Sequence, residues 1–271
     1  MSVVIAMVPC SEVTQLDIEA IQSELAKNWP ELPAATDVSR EEITATFQLG
    51  PVAVIFGVMP APIPWSDLEG PCETSMLYPK AADDLKDHKA HIIVTLTGGD
   101  LDPVPSSTLL TQVTAALMAT TPSALGVFWC NAMHLVRKDI FIDFAVTVMP
   151  DGPPVLIWVS FRVGGDSDRS SAGFTTGMEA LGHMEFEAEG TPEPPSELHE
   201  RLTSLCEYVI ENGPVIKDGN TIGESMVAQI RVVYSDSSFG NENKVMRLNY
   251  VSGKSPSTEP AEENKPWWKF W

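Results

Sequence analysis

The chain has 271 residues and a formal net charge of −20, because 37 Asp and Glu residues outnumber 17 Lys and Arg residues. Nucleic acids and anionic membrane surfaces are disfavoured as partners, since clustered Lys and Arg bind them and the sequence has no basic stripe. Hydrophobic residues make up 44% of the chain, enough to bury a core in one large domain or two small ones. A basic protein partner or a cation would be attracted by this charge.

The N-terminal segment and the cysteine spacing indicate a cytoplasmic protein. The stretch "MSVVIAMVPCSE" has no basic region before its short apolar run, so it predicts a first strand and not a signal peptide. The four cysteines form no CxxC pair, which excludes zinc-ribbon spacing and fits a reducing compartment. No apolar run approaches the roughly 20 residues that span a bilayer. We therefore expect a cytoplasmic location and no membrane span.

The first segment of the chain combines a strand, a helix and a hairpin. Val3–Val8 is a short apolar run of strand type, and Ser11 is a plausible N-cap for the helix that follows. Apolar residues at helical spacing continue from Val13 to Leu25. The stretches "EITATFQLG" and "PVAVIFGVM" meet at Gly50-Pro51, which predicts two strands joined by a tight turn.

The second segment repeats this plan. A strand over residues 92–96 leads through a Gly/Pro loop to a helix that Ser106 or Ser107 would cap. Further strands are predicted for "LGVFWC", "DIFIDFAVTVMP" and "PVLIWVSFRVGG", since all three are rich in β-branched and aromatic residues.

The third segment follows the same order. Its strand covers residues 184–188, and its helix begins after Ser196 and stops at Asn212-Gly213-Pro214. The stretches "SMVAQIRVVYS" and "NKVMRLNYV" then predict a hairpin.

The predicted elements indicate an α+β fold. Short helical connectors are expected at about residues 80–89 and 176–181, and the first of them completes β-α-β-β-α-β over residues 3–97, the ferredoxin-like order. We therefore predict packed ferredoxin-like lobes of strand-helix-hairpin type with mostly antiparallel sheets, in one globular region over residues 1–251. The repeated units cover about residues 1–97, 91–190 and 183–251.

The composition changes at about Ser252. Residues 252–264 contain Pro, Ser, Glu and Gly without large apolar side chains, which predicts a flexible acidic linker. Residues 265–271, "KPWWKFW", then form an aromatic tail, and burying each ring would contribute about 2–3 kcal/mol. The candidate partner-binding residues of this tail are Lys265, Trp267, Trp268, Lys269, Phe270 and Trp271.

Three interpretations of the aromatic tail remain open. It can fold back into a groove on its own domain, or it can dock into a partner that the linker lets it reach. It can also lie at a membrane interface, where Trp and Lys are favoured. The membrane interpretation is the weakest, because two lysines cannot outweigh the acidic body.

The stretch "ADDLKDHKAH" is the densest cluster of candidate metal ligands. On a helix, Asp84, His88 and His91 would share one face at spacings of four and three residues. Two imidazoles and a carboxylate can bind a divalent metal. The competing interpretation is a solvated helix end with local ion pairs, in which His91 already belongs to the next strand.

Two further motifs carry reactive side chains. "HMEFEAE" places His183, Glu185, Glu187 and Glu189 on one side of a strand, which could bind a cation but more simply predicts the wet face of a half-exposed sheet. Cys10 follows a strand and precedes a helix, a position that can lower the pKa of a thiol.

Several stretches of the chain resemble a bacterial family catalogued as domain of unknown function 4261. They are "HKAHIIVTL", "VFWC", "LIWVSFRV" and above all "TTGMEALGHMEFE". The resemblance covers about residues 50–215, implies a cytosolic bacterial protein of α+β type and brings no catalytic residues. The positions shared with the family would be Trp65, His91, Trp129, Trp158, Gly177, Gly182 and Glu187. The tryptophans indicate core or groove positions, and the glycines indicate turns.

We expect a non-enzymatic binding or adaptor protein with a protein partner or a self-docking tail. The aromatic rings would be apolar anchors, and Lys265 and Lys269 would orient them against an acidic groove. One version is an immunity or inhibitor role, in which the negative charge meets a basic toxin.

The alternative function is a metal-dependent hydrolase. It would use Asp84, His88 and His91, together with Glu185 or Glu187. No GxGxxG fingerprint or phosphate loop occurs in the sequence, so we expect no nucleotide and no other cofactor.

Overall fold

The computed structural model describes residues 4–167, 170–222 and 229–251. The chain divides into an N-terminal unit, Met1–Ser160 with Ala180–Gly182, and a C-terminal unit, Phe161–Glu179 with His183–Trp271. Helices and two mostly antiparallel sheets confirm the predicted α+β class. The predicted linker and the aromatic tail lie outside the described residues.

The N-terminal unit contains seven described strands and six described α-helices. The strands are β1 (Ile5–Cys10), β2 (Ala35–Arg40), β3 (Thr44–Leu49), β4 (Val52–Met59), β5 (Ala90–Gly98), β6 (Gly126–Trp129) and β7 (His134–Arg137). The helices are α1 (Ile18–Asn28), α2 (Trp65–Thr74), α3 (Ala81–Leu85), α4 (Pro103–Thr120), α5 (Lys138–Asp143) and α6 (Val155–Trp158). A π-helical segment, Phe144–Val148, continues α5 directly.

The sheet of this unit has the strand order β2-β3-β4-β5-β1-β6-β7, and its pairs are antiparallel. The β3–β4 hairpin turns at Gly50, whose φ is +58°, as the Gly50-Pro51 signal predicts. The predicted β-α-β-β-α-β order is extended by an additional strand, β2, and a second short helix, and β5 pairs with both β4 and β1. A ferredoxin-like lobe would instead insert β1 between β4 and β5. The strand order of the sheet depends on pairing between strands far apart in the chain, and the order of the elements along the chain does not specify it.

Helices cover both faces of this sheet. Ala6 and Val8 of β1 are fully buried on the side where α4 packs, and α1 packs against α4. On the opposite face, Phe128 and Leu135 pair across β6 and β7 and join a cluster with residues of α2 and α3. Because both faces are covered, β6 is buried along its whole length, and its residues do not alternate between apolar and polar.

The helix starts differ from the predicted caps. Asp17, and not Ser11, caps α1, and its Oδ1 accepts a hydrogen bond from the Ala20 backbone N–H at 2.9 Å. Helix α4 begins at Pro103, so the predicted caps Ser106 and Ser107 lie inside it. A proline is favoured in the first turn of a helix, because the N–H that it lacks would have no partner there.

Two predicted strands are wrong. "DIFIDFAVTVMP" forms α5 and the π-helical segment, and the first half of "PVLIWVSFRVGG" forms α6. In the first case Phe141 and Ala145 are buried one helical turn apart, and the ring of Phe141 lies 6.0 Å from that of Trp129. This packing outweighs the strand propensity of the β-branched residues.

The C-terminal unit is built on a second sheet. Its elements are β8 (Ser160–Ser167), β9 (Ser170–Thr176), β10 (Phe186–Thr191), α7 (Pro195–Asn212), β11 (Thr221–Ile222), β12 (Gln229–Ser235) and β13 (Val245–Val251). The strand order is β11-β12-β13-β10-β9-β8, in which β10 and β13 are parallel. Helix α7 packs against β9 and ends at Gly213, whose φ is +77°, as predicted. The predicted cap Ser196 lies within α7, whose first residue is Pro195.

Across residues 4–167, 170–222 and 229–251, no helix is both long enough and apolar enough to cross a membrane.

Candidate functional site

His88 and His91 hold the backbone of the segment that leaves β4. Nδ1 of His88 donates to the carbonyl of Leu85 at 2.6 Å, and its Nε2 accepts the backbone N–H of Ile63 at 2.7 Å. Nδ1 of His91 donates to the carbonyl of Ala61 at 2.8 Å. Both rings are buried, and burial lowers the pKa of His91. Because both ring nitrogens of His88 are engaged, this side chain offers no lone pair to a metal.

Asp84 interacts with Tyr78. The phenol of Tyr78 is buried, and burial raises its pKa, with the Asp84 carboxylate raising it further. Within the described part of the chain, no three His, Cys, Asp or Glu side chains gather closely enough to hold a metal ion. The arrangement of Asp84, His88 and His91 therefore does not favour the metal-ligand interpretation.

The prediction that "HMEFEAE" is a wet strand face is wrong for Glu185. This side chain is 3% exposed and accepts hydrogen bonds from Thr175 Oγ1 (2.6 Å) and from the backbone N–H groups of Gly177 (2.7 Å) and Glu179 (3.2 Å). Burial raises the pKa of Glu185, and the three hydrogen bonds oppose that rise. The carboxylate thus fastens the turn after β9, where Gly177 has a φ of +121°.

Glu187 is buried as well, against the same prediction. It is 2% exposed, and it accepts hydrogen bonds from the Ser237 hydroxyl and from the Ser238 backbone N–H at 3.0 Å. Arg247 lies opposite on β13, with its guanidinium 3.6 Å from the Glu187 carboxylate. Glu189 is half-exposed and accepts from Ser238 Oγ at 3.0 Å. Glu187 and Glu189 share Ser238 and Arg247 as partners, and both hold the β12–β13 connection, whereas Glu185 fastens the turn after β9.

An open groove of about 890 Å³ lies in the N-terminal unit. The last turns of α1, the stretch around Tyr78 and Asp84, and the helical segment from α5 to Val148 surround it. Its apolar lining includes Leu125, Ile142 and Val146. Clefts of this volume are large enough to hold a ligand of drug size or a few side chains of a peptide.

The rim of this groove carries more acidic than basic side chains. The acids are Glu24, Asp84, Asp139 and Asp143, and the bases are Arg137 and Lys138. The two bases are already engaged: Arg137 forms an ion pair with Asp139 at 2.5 Å, and Lys138 Nζ donates to the carbonyl of Thr121 at 2.8 Å. Burial lowers the pKa of Lys138.

Asp84 and Asp143 are the exposed acids of this groove that lack an ion-pair partner within the described part of the chain, although the Asp84 carboxylate also interacts with Tyr78 and Arg137. Both are exposed, and neither forms an ion pair with any side chain among the described residues. The groove therefore combines an apolar lining with carboxylates that a cationic ligand can reach.

Cys10 is fully buried and donates a hydrogen bond from its thiol to the Val8 carbonyl at 3.4 Å. Burial raises the pKa of Cys10 to about 11, against the opposing effects of Ser123 and Lys138. The thiol is therefore protonated at neutral pH, contrary to the expectation from its position before a helix.

Sequence reasoning named Asp84, but as a metal ligand, and it missed the other charged residues of the groove. The signal was in "RKDIFID", where Asp139 and Asp143 stand four residues apart around an apolar run, a spacing that suits one face of a helix. We interpreted this stretch as a strand because β-branched residues follow it. The predicted tail residues 265–271 lie outside the described residues, so the structure assigns them no place.

The comparison with protein families finds one domain. Residues 174–249, from β9 to β13, match the model of a domain of unknown function, DUF4261. This match confirms the resemblance for this part of the chain. Of the seven shared positions that the resemblance named, Gly177, Gly182 and Glu187 lie inside the matched range. The expected coverage of residues 50–215 is wrong, because the match begins later and ends later.

The other comparisons identify no relatives. No curated protein and no solved structure is significantly similar to the chain. The groove lies outside the matched residues, so the family domain says nothing about it.

Proposed function

We propose that the protein has a binding role and not a catalytic one, and that its groove holds a basic, aromatic peptide segment. The first occupant to consider is the chain's own tail, residues 265–271. The observation that carries the proposal is the combination of an apolar lining with two exposed carboxylates, Asp84 and Asp143, in one groove.

The chemistry of the tail suits this groove. "KPWWKFW" has four aromatic rings, which gain free energy when they leave water, and two lysines. The apolar lining around Leu125, Ile142 and Val146 would contact the rings, while Lys265 and Lys269 would approach the carboxylates. Charge complementarity of this kind gives specificity and speeds association.

The experiment measures binding of a fluorescent KPWWKFW peptide to the chain without residues 265–271. We expect saturable binding that weakens as salt is raised, because exposed charges contribute. If the tail occupies its own groove, the full-length chain binds the peptide more weakly than the truncated chain. If the tail docks in trans, the full-length chain forms dimers on gel filtration and the truncation abolishes them. No saturable binding to the truncated chain would refute the proposal.

Two matched substitutions locate the binding site. Val146 lines the groove and is 36% exposed, whereas Val148 lies in the same helical segment, is 37% exposed and does not line it. We expect Val146→Arg to weaken peptide binding by about thirty-fold, because a charged side chain would enter the apolar lining. Val148→Arg, with the same chemistry and exposure, should leave the affinity within about two-fold.

We also propose that the protein is cytoplasmic and of bacterial origin. All four cysteines are free thiols in the structure, and Cys10, Cys72 and Cys206 are buried. A reducing compartment keeps such thiols free. Fractionation of cells into cytoplasm, membranes and medium, followed by immunoblotting, tests the location, and recovery of the protein from the medium would contradict it.

A further inference from the structure

One arginine of the C-terminal unit has no partner for its charge. Arg162 lies on β8 and is half-buried, and burial alone lowers the pKa of its guanidinium. Among the residues that the structure describes, this side chain forms no ion pair and no hydrogen bond. A charge that loses part of its hydration without gaining a partner costs free energy. An anion that reached this guanidinium would offset that cost.

The guanidinium of Arg162 can be reached from solvent. Nε of Arg247 is an example of a nitrogen that is both unpaired and sealed off from water. No nitrogen of Arg162 belongs to this group of sealed atoms, although none has a hydrogen-bond partner within the described part of the chain. Its three nitrogens are therefore accessible, and a ligand oxygen can approach them.

Arg162 points away from the helix of its unit. Strand β8 is the edge strand of the second sheet, next to β9. The ring of Phe161 lies 5.2 Å from the ring of His199 on α7, so Phe161 faces this helix. Because side chains alternate along a strand, Arg162 lies on the opposite face of the sheet.

An aromatic pair lies beside Arg162 on this face. A Cβ on Gly173 would lie 2.9 Å from the Arg162 carbonyl oxygen and 3.4 Å from Leu198 on α7, so Gly173 faces the helix next to Arg162. The following residue of β9, Phe174, therefore lies on the face of Arg162. Its ring stacks on the ring of Phe239 with their centroids 4.8 Å apart. Side chains at neighbouring positions of two paired strands are close enough to contact one ligand.

The surroundings of Arg162 favour an anion with a single charge. The nearest residues on its face of β8 and β9 are uncharged, and they are Ser160, Gly164, Ala172, Phe174 and Thr176. The next acid across the sheet, Glu187, already has Arg247 as its partner. A planar guanidinium binds one carboxylate through two parallel hydrogen bonds. With no second base at these positions, a carboxylate fits the site better than a phosphate dianion.

We propose that Arg162 and the Phe174–Phe239 pair bind a small aromatic carboxylate. The carboxylate oxygens accept two hydrogen bonds from the guanidinium, and the ring of the ligand lies against the aromatic pair. The net charge of −20 disfavours non-specific binding of anions, so local contacts must hold this ligand. The site is formed by residues of the C-terminal unit and does not depend on the proposed peptide groove.

The test compares benzoate with benzamide, which has the same ring and shape but no charge, and with inorganic phosphate. Each is titrated into the full-length protein, and the NMR signal of the Arg162 Nε–H group, assigned with Arg162→Lys, reports the location. We expect benzoate to bind at least about ten-fold more tightly than benzamide, because hydrogen bonds to charged groups are the stronger ones. Phosphate should leave the signal unchanged. Failure of benzoate to shift it, or an equal shift with phosphate, would overturn the proposal.

Two matched substitutions complete the test. Arg162→Met keeps the apolar stem and removes the guanidinium, so the preference for benzoate over benzamide should disappear. Arg231→Met makes the same change at an exposed arginine on β12 of the same sheet and should leave benzoate affinity within about two-fold. The unfolding midpoint of Arg162→Met should not fall, because no internal partner is lost. If it does fall, Arg162→Lys replaces it, since this variant keeps the charge and loses the two parallel hydrogen bonds. A preference for benzoate that survives in the folded Arg162 variants, or an equal loss in Arg231→Met, would contradict the assigned role of Arg162.

Discussion

The acidic side chains of two regions differ in what surrounds them. In the C-terminal unit Glu185 and Glu187 are almost completely buried, and hydroxyl and backbone N–H groups satisfy them. At the groove of the N-terminal unit Asp84 and Asp143 are exposed and have no ion-pair partner among the described residues. A buried acid with internal partners stabilises a fold, whereas an exposed one stays available to a ligand.

The buried acids lie in the residues that match the family, and the exposed acids lie at the proposed binding groove. The matched residues 174–249 contain the buried acids and the hydrogen bonds that fasten their turns. The groove lies before that range. The match to the family therefore covers part of the C-terminal unit, and the proposed peptide groove lies outside the matched residues.

The strongest test of the comparison is Glu185→Ala. We expect a loss of about 3–5 kcal/mol in unfolding free energy, because Thr175, Gly177 and Glu179 would all lose a buried acceptor. Urea denaturation measures it. Glu189→Ala is the control on the same strand and should cost less than about 1 kcal/mol, since that side chain is half-exposed. Equal effects of the two substitutions would remove the distinction between structural and exposed acids.

His88→Leu tests whether the buried histidines are structural in the N-terminal unit. We expect a loss of about 2–4 kcal/mol, because the Ile63 N–H and the Leu85 carbonyl would be left unpaired. Hydrogen exchange at the Ile63 amide should accelerate with it. The control is Lys89→Ala, because Lys89 follows His88 directly and is exposed. This substitution should leave both measurements unchanged. An unchanged Ile63 exchange rate in His88→Leu would contradict the structural role.

Asp143→Asn tests the role of the exposed acids at the groove. We expect the KPWWKFW peptide to bind about three-fold more weakly, with a smaller salt dependence, because one exposed carboxylate of the groove is neutralised. The stability of the protein should stay the same, since the side chain is exposed. Asp151→Asn, an exposed acid that does not line the groove, is the control. Equal losses of affinity in both variants would indicate a general charge effect and no groove contact.

The pH dependence of stability gives the smallest expected effect. Burial holds the pKa of His91 below its usual value of 6.5, so the unfolded chain takes up a proton at a higher pH than the folded one. Its contribution to stability is therefore complete above about pH 6.5 and is lost as the pH falls through the folded pKa. His91→Gln can still donate to Ala61 and should flatten this decline. Identical pH profiles for the two proteins would exclude the effect.

The sequence predicted most of the helices and strands, but fewer of the contacts that each of them makes. The strands of the β3–β4 and β12–β13 hairpins and the end of α7 at Gly213 were predicted correctly, because turn residues and alternation are local signals. The segment from Asp139 to Val148 was not, since its propensity favours a strand and its packing favours a helix. The groove was missed for the same reason.

The candidate residues show the same limit. Asp84, His88 and His91 have the spacing of a metal site, yet the histidines bind backbone groups 25 and 30 residues away. Glu185 and Glu187 alternate as an exposed strand face would, but Thr175 and Arg247 surround them with partners. Spacing specifies which side chains share a face, and only the tertiary contacts specify what that face meets.

By itself the amino-acid sequence determined the acidic character of the chain, its α+β class, its main turns and its resemblance to a domain of unknown function. Those properties depend on composition and on interactions between residues close in the chain. Only the tertiary structure decided the strand order, the burial of Glu185 and Glu187, and the groove beside α1. These depend on contacts between residues far apart in the chain, whose free energies come from burial and from hydrogen bonds that no local pattern records.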